Sequence, residues 1–326
     1  MRQVEGSRAL VTGAAGFIGS HLSEKLLGAG AASVVGVDDL SLGKLENLET
    51  ALGDERFEFH AGDCADLPEV EAALDDRTFD VCFNLAVIPL PTSLAYPKET
   101  VDRNVAMTTS ICELVRSGRV ERLVQFSSSE VYGTAATVPM AEDHPQNPET
   151  PYAASKLATD AVAHAYHRSF RIPVVIVRPF NNYGPRQNAG SYAGLIPNVL
   201  TRVAAGETVI VDGDGEQTRD FIYVADTAAA TLRIYARAPM EATVVNLGTG
   251  HERSVLDVVR ALLGALEKPE WPVQHGPPRP GDVRQHLADI TTARTLFGFE
   301  PATTFDDGIA RTVAWYADQL ARARVA

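Results

Sequence analysis

The sequence predicts an α/β fold in which a doubly wound parallel sheet is combined with a smaller, interleaved C-terminal domain. Short apolar runs alternate with helix-length amphipathic stretches through the first half of the chain, and strands this apolar need helices on both faces, as in a parallel sheet. The order strand, helix, strand repeats without long polar linkers, which is typical of a doubly wound fold. Beyond about residue 180, prolines and glycines break up this pattern, which indicates a second, smaller domain.

The predicted strands of the first half are its most apolar runs, and each is followed by a stretch long enough for a helix. They cover residues 8–12, 33–37, 81–85, 123–127 and 174–178. Later, residues 226–236 have a helical composition, and residues 244–247 form another run typical of a buried strand. We therefore predict that residues 1–180 form the first domain together with a returning segment at about 220–250, and that residues 181–219 and 251–326 form the second.

The composition excludes several classes of protein. The chain has 326 residues, of which 45% are hydrophobic and 22% charged, a balance that suits one large or two coupled globular domains. Its 29 Lys and Arg residues against 42 Asp and Glu residues give a formal charge of −13, so nucleic acid is not an expected partner. No run approaches the roughly 18 apolar residues of a spanning helix, and no secretory signal is recognisable. We expect a cytoplasmic protein without a membrane partner.

The cysteines and histidines predict no metal site. Cys64, Cys82 and Cys112 are odd in number and widely spaced, without a CxxC pair, which argues against a disulfide framework or a zinc site and fits a reducing compartment. His164 and His167 lie three residues apart, and no acidic or cysteine partner follows at a helical spacing. We expect the cysteines to be small apolar side chains of the core.

A glycine pattern directly after the first predicted strand indicates a dinucleotide site. Gly13, Gly16 and Gly19 form a GxxGxxG pattern that opens a helix through Phe17 and Ile18. In a Rossmann domain such glycines permit the tight turn, let the backbone approach a pyrophosphate at the positive end of the helix, and let the helix touch the strand. The strand and helix on either side make this pattern a specific signal.

Acidic residues follow the second and third apolar segments, where an adenosine would lie. Asp38 and Asp39 end the second strand about 20 residues after the glycines, and a carboxylate there accepts hydrogen bonds from the ribose hydroxyls and repels a 2′-phosphate. The expected cofactor is therefore NAD rather than NADP. Asp63 follows the third segment and could reach the adenine amine, although a solvated surface aspartate fits the sequence nearly as well.

Tyr152 and Lys156 are the candidate chemical pair. They lie four residues apart at the start of a predicted helix that Thr150 can cap, so they project from one face. A phenol has a pKa of about 10 in water, and a neighbouring ammonium together with an oxidised nicotinamide lowers it, which would let Tyr152 take a hydroxyl proton at neutral pH. The strand at 123–127 ends at the carboxyl edge of the sheet in hydroxyl groups and a carboxylate, those of Ser127, Ser128, Ser129 and Glu130.

Taken together, these motifs resemble those of the extended short-chain dehydrogenase/reductases, the family of NAD-dependent nucleotide-sugar epimerases and dehydratases. The resemblance runs from residue 10 to beyond residue 280. Its motifs are the glycine loop, Asn84-Leu85-Ala86-Val87, Ser128 with Val131-Tyr132-Gly133, Tyr152 with Lys156, residues 178–185, residues 213–221, and Arg279-Pro280-Gly281-Asp282. Asn84 is a departure, because the family more often has histidine there, and we assign it no catalytic role.

The resemblance implies roles for particular residues. Tyr152 would be the base toward the sugar C4 hydroxyl, Lys156 would hold the nicotinamide ribose and lower the pKa of the tyrosine, and Ser128 would hydrogen-bond the reacting oxygen. The residues expected at the cofactor are Gly13, Gly16, Phe17, Ile18, Gly19, Asp38, Asp39, Asp63, Leu85, Ala86, Asn104 in a supporting position, Tyr152 and Lys156. Those expected to bind the nucleotide-diphosphate sugar are Ser93, Asn181, Arg219 and Arg279, since guanidinium groups suit phosphate.

The family's shared first step moves a hydride from C4 of the sugar to NAD, and Glu130 bears on the reaction of the resulting ketone. Family dehydratases and uronic-acid decarboxylases carry glutamate at this position, whereas many 4-epimerases have a small residue. Ser129 precedes it, as in the GDP-mannose type and the amino-sugar 4,6-dehydratases, so Glu130 would serve as both base and acid. A role for Glu130 only in capping a turn or in a salt bridge at the cleft rim stays open.

We therefore rank a 4,6-dehydratase, which is a lyase, first; a 4-epimerase, which is an isomerase, second; and a decarboxylase third. A protein that only senses NAD would typically lack Tyr152 or Lys156, and both are present. The resemblance also implies a homodimer of carbohydrate biosynthesis, paired through the outer faces of helices near 105–115 and 153–166. Contacts to the nucleobase and hexose are expected from loops 188–198 and 209–212, which no motif constrains.

Overall fold

The computed structural model describes residues 3–188, 194–279 and 281–323. In chain order its strands are β1 (Arg8–Thr12), β2 (Ser33–Asp38), β3 (Phe57–Ala61), β4 (Val81–Asn84), β5 (Leu123–Phe126), β6 (Val174–Pro179), β7 (Asn181–Tyr183), β8 (Val209–Asp212), β9 (Thr218–Tyr223), β10 (Glu241–Leu247), β11 (Glu252–Ser254), β12 (Val273–Gly276) and β13 (Gln285–His286). Its helices are α1 (Phe17–Gly28), α2 (Glu49–Leu52), α3 (Leu67–Leu74), α4 (Leu90–Ala95), α5 (Pro97–Arg116), α6 (Pro151–Phe170), α7 (Leu195–Ala204), α8 (Val224–Arg237), α9 (Val255–Ala265), α10 (Thr291–Phe297) and α11 (Phe305–Ala323). Short 3₁₀ helices cover Leu45–Leu48 and Ser129–Tyr132.

Seven strands form one parallel sheet in the order β10-β6-β5-β4-β1-β2-β3. Each strand predicted from the sequence is part of it, and the third apolar segment is β3. The order reverses at β1, which lies between β4 and β2. In sheets of this kind, ligands bind outside the carboxyl ends of the strands at such a reversal. The predicted Rossmann-type fold is confirmed, and it points to the loops after β1 and β4.

The residues of the central strands alternate between two helix layers. Ala9 and Val11 of β1 pack with α1 and α8, whereas Leu10 packs on the opposite face with α3 and α5. Successive side chains of a strand point to opposite faces, and here both faces are covered. This double burial is the physical reason why the strands are continuously apolar in sequence.

The remaining elements enclose a separate core. Helices α7, α9 and α11 pack on β8 and β9 through side chains such as Leu200, Leu262 and Ile309. In this unit β9 pairs with β11, β13 and β7, and β8 pairs with β12. Between these elements, α8 and β10 return to the main sheet, as the apolar run at 244–247 predicts. The domain boundaries at 180, 219 and 250 stay a prediction, and β9 ends in the small sheet at Tyr223.

The three cysteines are buried free thiols in the core beside α3 and α5. They pack there as small apolar side chains, as the sequence predicts. Within residues 3–188, 194–279 and 281–323, no group of three or more His, Cys, Asp or Glu side chains is placed to hold a metal ion. The described helices include none with the length and apolar character needed to cross a membrane.

Candidate active site at the carboxyl edge of the sheet

A large cleft opens at the carboxyl edge of the main sheet, where the strand order reverses. Its volume is about 1150 Å³, above the roughly 300–1,000 Å³ of a typical small-molecule pocket. Its walls are the glycine loop, the ends of β2, β4 and β5, the start of α6, and side chains of the second unit such as Arg219 and Arg279. The cleft therefore has room for more than one ligand.

The glycine loop joins β1 to α1 with very little space around it. Gly13 has a φ of +65°, which favours glycine. A Cβ atom on Gly19 would lie 2.1 Å from the Gly13 carbonyl oxygen, so the first turn of α1 rests directly on the loop. Gly16 precedes the helix and offers no side chain to cap it. The first N–H groups of α1, at Phe17 to Gly19, therefore remain for an anion in the cleft.

The segment after β4 is fixed onto the end of β1. The Thr12 hydroxyl accepts hydrogen bonds from the N–H groups of Leu85 and Ala86 and donates one to Asn84. Asn84 is buried and donates to Gln125, which is a structural role. Leu85 and Ala86 line the cleft directly beside the glycine loop, because a Cβ atom on Gly13 would lie 2.9 Å from the Ala86 nitrogen.

The Asp38 carboxylate is held at the other end of the glycine loop. It accepts hydrogen bonds from the Ala15 N–H at 3.0 Å and the Leu40 N–H at 2.9 Å. Burial raises its pKa, and these two backbone donors oppose that shift. Asp38 and Asp39 both line the cleft, so oxygen acceptors are present where the sequence predicts the adenosine ribose.

Arg103, at the Asp38 end of the cleft, is a residue that the sequence did not predict. It lies on α5, and its guanidinium forms ion pairs with Asp39 and Asp63. Asp63 is thus paired with a side chain of α5 and is not a bare surface carboxylate. It is not among the described residues that line the cleft. Nothing in the local sequence around Arg103 marks this contact, since its two partners follow β2 and β3 at a large distance along the chain.

Tyr152 and Lys156 lie in the first two turns of α6, which begins where the Thr150 hydroxyl accepts a hydrogen bond from the Ala153 N–H. Both side chains line the cleft. Ser128 hydrogen-bonds the Tyr152 phenol. The Lys156 ammonium donates to the Phe126 carbonyl at the end of β5. The structure thus brings together the hydroxyl, phenol and ammonium groups that the sequence singles out.

The pKa of Tyr152 differs from the sequence expectation. It is raised to about 12, chiefly by burial and also by the Glu130 carboxylate, and only the Ser128 hydrogen bond opposes this shift. The expected lowering by Lys156 is not produced by the described protein groups, because the lysine is directed at the Phe126 carbonyl. Burial also lowers the pKa of Lys156, to about 8, against an opposing effect of Asp160. Lowering the phenol pKa therefore depends on positive charge supplied by a ligand.

A buried ion pair lies behind Lys156. Asp160, one turn further along α6, accepts hydrogen bonds from the Arg178 guanidinium at 3.0 and 2.9 Å. Arg178 also donates to the Tyr132 hydroxyl, and Tyr132 donates to Asn246. Each of these side chains is buried. The network ties α6, β6 and β10 to the 3₁₀ turn that carries Glu130.

Glu130 lies on that 3₁₀ turn, which Ser128 caps by accepting a hydrogen bond from the Glu130 N–H. Ser129 is buried beside it, and Ser129 and Glu130 both line the cleft. Burial raises the pKa of Glu130, while Arg219 and Arg279 lower it. A carboxyl group with a raised pKa can both give and take a proton near neutral pH.

The predicted substrate residues separate into two groups. Asn181, Arg219 and Arg279 line the cleft, and one Asp282 oxygen lies 2.7 Å from Arg219 and 3.0 Å from Arg279. Within the described part of the chain, the lining includes Thr92 but not Ser93. Ser93 is fully buried, and its hydroxyl donates to the Leu90 carbonyl, so the structure does not bring it to the ligand space.

Asn104 supports the cleft from behind. Its side chain accepts from the Ile88 N–H and donates to the Ile88 carbonyl and the Ser155 hydroxyl. It thereby fixes the segment after β4 against α6. Of the predicted specificity loops, residues 189–193 lie outside the described residues, as does Pro280 of the Arg279 motif. Asn188, Asn198, Ile210 and Asp212 line the cleft.

Comparison with known proteins agrees with this geometry. Residues 10–312 match the family model described as GDP-mannose 4,6 dehydratase. A UDP-glucose 4-epimerase of Mycolicibacterium smegmatis is 38% identical over 314 residues, covering 96% of this chain and 99% of that protein. A dTDP-glucose 4,6-dehydratase of an Actinoplanes species is 35% identical over 316 residues, covering 95% and 97%. The solved structure of a dTDP-glucose 4,6-dehydratase from Streptomyces venezuelae, with NAD bound, superposes with a TM-score of 0.91 at 32% identity, covering 97% of this chain and 98% of that chain.

Proposed function

Since the chain belongs to the NAD-dependent extended short-chain dehydrogenase/reductase family, an enzyme family of nucleotide-sugar dehydratases and epimerases, we propose that it is a nucleotide-sugar 4,6-dehydratase that works through a transient 4-keto sugar. One observation carries the choice of reaction: a glutamate with a raised pKa, Glu130, lines the same cleft as Tyr152 and Ser128. Dehydration needs such a group, and epimerisation at C4 does not.

The described residues fit NAD as cofactor. The glycine loop and the first N–H groups of α1 suit the pyrophosphate, Asp38 suits the adenosine ribose, and Leu85 and Ala86 form the wall beside the loop. When bound, the dinucleotide supplies a hydride acceptor that takes the C4 hydride and gives it back, to C6 in a dehydratase or to C4 in an epimerase. Lys156, at the far end of the cleft from Asp38, is proposed to hold the nicotinamide ribose.

Tyr152 is the proposed base for the C4 hydroxyl. Its phenol lines the cleft and is hydrogen-bonded to Ser128, which we propose also hydrogen-bonds the reacting oxygen. The raised pKa keeps the phenol protonated, and so unable to accept a proton, as long as no positive charge lies near it. Positive charge on a bound oxidised cofactor would lower the pKa of the Tyr152 phenol and let it take the C4 hydroxyl proton as that carbon is oxidised.

Glu130 is the proposed group for the elimination. The ketone at C4 acidifies the proton on C5, and the Glu130 carboxylate takes that proton. The resulting carboxylic acid gives a proton to the hydroxyl on C6, the C6–O bond breaks, and water leaves. Hydride addition at C6 and protonation at C5 would complete a 4-keto-6-deoxy sugar that is 18 mass units lighter than the substrate. The C5 proton would come from solvent, to which Tyr152 returns the proton it took from the C4 hydroxyl.

Arg219, Arg279 and Asn181 are the proposed ligands of the substrate diphosphate. The two guanidinium groups already converge on one acceptor, Asp282. A diphosphate offers the same kind of charged oxygen to both. The nucleobase and hexose depend on the loops near Asn188–Asn198 and Val209–Asp212, and UDP-, dTDP- and GDP-sugars are all candidates.

A 4-epimerase is the second candidate, because a relative that is 38% identical over nearly its whole length is named UDP-glucose 4-epimerase. The two are separated by giving the purified protein NAD⁺ and a panel of UDP-, dTDP- and GDP-hexoses and examining the products by mass spectrometry and NMR. Loss of 18 mass units supports dehydration. Inversion at C4 without a mass change refutes it, and so does a loss of 44 mass units, which marks a decarboxylase.

The Glu130→Gln variant tests directly whether the Glu130 carboxyl group is needed for dehydration. Glutamine keeps the size of the side chain and cannot exchange a proton. We expect dehydration to fall by about 100-fold or more, while oxidation at C4, followed by NADH absorbance in a single turnover, remains. Dehydration at an unchanged rate would remove the reason for placing this reaction above epimerisation.

We also propose a cytoplasmic homodimer that acts in carbohydrate biosynthesis. Helices α5 and α6 lie side by side, and the Tyr166 hydroxyl of α6 donates to Glu113 of α5. Phe170 at the end of α6 is 56% exposed, with the Arg116 guanidinium over its ring. This apolar surface supports pairing of α5 and α6 with those of a second copy, and light scattering on the purified protein tests it.

A further inference from the structure

We infer that Arg103 is a cofactor-retaining residue: its guanidinium, paired with Asp39 and Asp63, closes the outer side of the adenosine end of the cleft and slows the release of bound NAD. The inference rests on the proposed function, because it takes the dinucleotide to lie along the glycine loop with its adenosine at Asp38. It concerns a residue that none of the sequence motifs includes.

The geometry is a bridge between three elements. Arg103 Nη2 lies 2.9 Å from Asp63 Oδ1 and 3.5 Å from Asp39 Oδ2. Asp39 follows the end of β2, Asp63 follows β3, and Arg103 is on α5. Neighbouring parallel strands end at the same edge of the sheet, so one guanidinium links two of the strand ends that border the cleft.

The bridge belongs to the wall of the cleft. Glu99, Arg103 and Met107 all line it, and their spacing of four residues places them on one face of α5. The other basic side chains among the described lining residues are Lys156, Arg202, Arg219 and Arg279. Lys156 is on α6, and the three arginines belong to the second unit. None of the four is on α5 or on the segments that follow β2 and β3.

Arg103 is thus the basic group on the wall that faces the acidic ends of β2 and β3. Asp38, Asp39 and Glu99 line the same region, and Asp63 borders it. Without Arg103, these carboxylates would repel one another, and Asp39 and Asp63 would be held only by their local hydrogen bonds from Ser41 and Ala65. A dinucleotide that carries a negative pyrophosphate would also meet an uncompensated acidic rim.

The proposed reaction gives retention a chemical purpose. The hydride that leaves C4 must return to the same sugar, so a dinucleotide lost in mid-cycle strands an oxidised sugar and removes the hydride that completes the product. A residue that slows dissociation without touching the reacting atoms therefore raises the fraction of cycles that are completed.

The pairs are suited to a closure that can open. Arg103, Asp39 and Asp63 are 31%, 33% and 27% exposed, and ion pairs this exposed are weak and screened by salt. The bridge can therefore break to admit the cofactor and form again around it. Its contribution should depend on ionic strength, whereas contacts of the buried glycine loop should not.

The experiment measures release of NADH from the full-length protein. Protein loaded with NADH is mixed with excess NAD⁺, and the fall in bound NADH fluorescence gives the dissociation rate at salt concentrations from about 0.01 M to about 1 M, over which the Debye length falls from about 30 to about 3 Å. The variants are Arg103→Ala, Arg103→Lys and, as a matched control, Lys98→Ala. Lys98 is on the same helix and pairs with Asp102 in full solvent.

At low salt we expect Arg103→Ala to release NADH about 5- to 10-fold faster than the unaltered protein. Arg103→Lys should fall between the two, because an ammonium cannot span both carboxylates as a guanidinium does. High salt should accelerate release from the unaltered protein and from Lys98→Ala, and leave Arg103→Ala nearly unchanged.

Two results would overturn the inference while the proposed function stands. One is an Arg103→Ala rate equal to that of the unaltered protein. The other is a faster rate with the full salt dependence retained, which would mean a structural defect rather than a lost ion pair. If the unaltered protein binds no NADH, the proposed function and the inference both fail.

Discussion

Replacing Gly19 by alanine introduces a methyl group between α1 and the loop after β1. The new Cβ atom would lie 2.1 Å from the Gly13 carbonyl oxygen, whereas real Cβ contacts are essentially never shorter than 3.0 Å, so the helix and loop must separate by 0.9 Å. The obstructing atom is backbone, which cannot rotate away. Overpacking of this kind typically costs about 1–3 kcal/mol, which corresponds to a fall in Tm of about 1.5–4 °C for a chain of this size.

The same displacement acts on cofactor binding. Gly13 to Gly19 carry the N–H groups proposed to meet the pyrophosphate, and a shift of this size lengthens their hydrogen bonds beyond the normal range. We expect Gly19→Ala to bind NADH at least about tenfold more weakly. The assays are thermal unfolding followed by fluorescence and an NADH titration.

Gly28→Ala is the matched control on the same helix. An added Cβ at Gly28 meets nothing within 4 Å, and alanine in place of helical glycine stabilises by about 0.5–1 kcal/mol. We expect this variant to have an equal or higher Tm and unchanged NADH affinity. If Gly19→Ala behaves like Gly28→Ala in both assays, the packing argument for the glycine loop is wrong.

Three other predictions concern the catalytic helix and a buried histidine. Tyr152→Phe should lower turnover on the accepted sugar by about 100-fold or more while leaving Tm within a few degrees, and turnover near the normal rate would exclude the phenol as base. Thr150→Ala removes the N-cap of α6 and should lower the free energy of unfolding by about 1 kcal/mol; kcat should also fall, because Tyr152 lies in the first turn of that helix. The control Ser254→Ala removes the cap of α9 and should cost the same stability with kcat unchanged. Equal kcat values for the two variants would contradict a link between the α6 cap and the phenol. Burial lowers the pKa of His286 from 6.5 to about 4, so its contribution to stability is complete above pH 6.5 and is lost as the pH falls to about 4, a change on the order of 3 kcal/mol. His286→Gln keeps a donor for the Gly133 carbonyl and should lose less unfolding free energy over that range in denaturant titrations, whereas parallel curves would contradict the assignment.

The parts of the fold that the sequence predicts are those set by local chemistry. The strands are apolar because both faces are buried, and the turn after β1 needs glycine at a positive φ and at a backbone contact. These causes act within a few residues, so they leave a readable pattern. The cap of α6 at Thr150 is of the same kind.

The parts that sequence reasoning missed depend on long side chains and on packing between distant segments. Arg103 reaches Asp39 and Asp63 from a helix that begins more than 30 residues after Asp63. Thr92 and Ser93 are neighbours in the short helix α4, which Pro89 precedes and which contains Pro91. The packing of α4 against α5 decides which of the two faces the cleft. No periodicity over six residues could separate them.

The pKa of Tyr152 shows a different limit. From the sequence, Lys156 is one helical turn away and should lower it. In the structure the ammonium is bound to the Phe126 carbonyl, and burial dominates, raising the pKa to about 12. In the proposed mechanism the phenol becomes an effective base only when positive charge lies near it, so proton removal would depend on the oxidised cofactor.

Glu130 is coupled to substrate binding by the same reasoning. Arg219 and Arg279 oppose the burial that raises its pKa, and both are held by Asp282. A substrate diphosphate that engages these arginines, as proposed, would place negative charge beside them and weaken their stabilisation of the Glu130 carboxylate. The pKa of Glu130 should then rise further, so that the carboxyl group keeps the proton it takes from C5 until the C6 hydroxyl receives it. A sugar that lacks the diphosphate would leave the pKa of Glu130 lower and its carboxylate a weaker base toward the C5 proton, even if it reached the same position in the cleft.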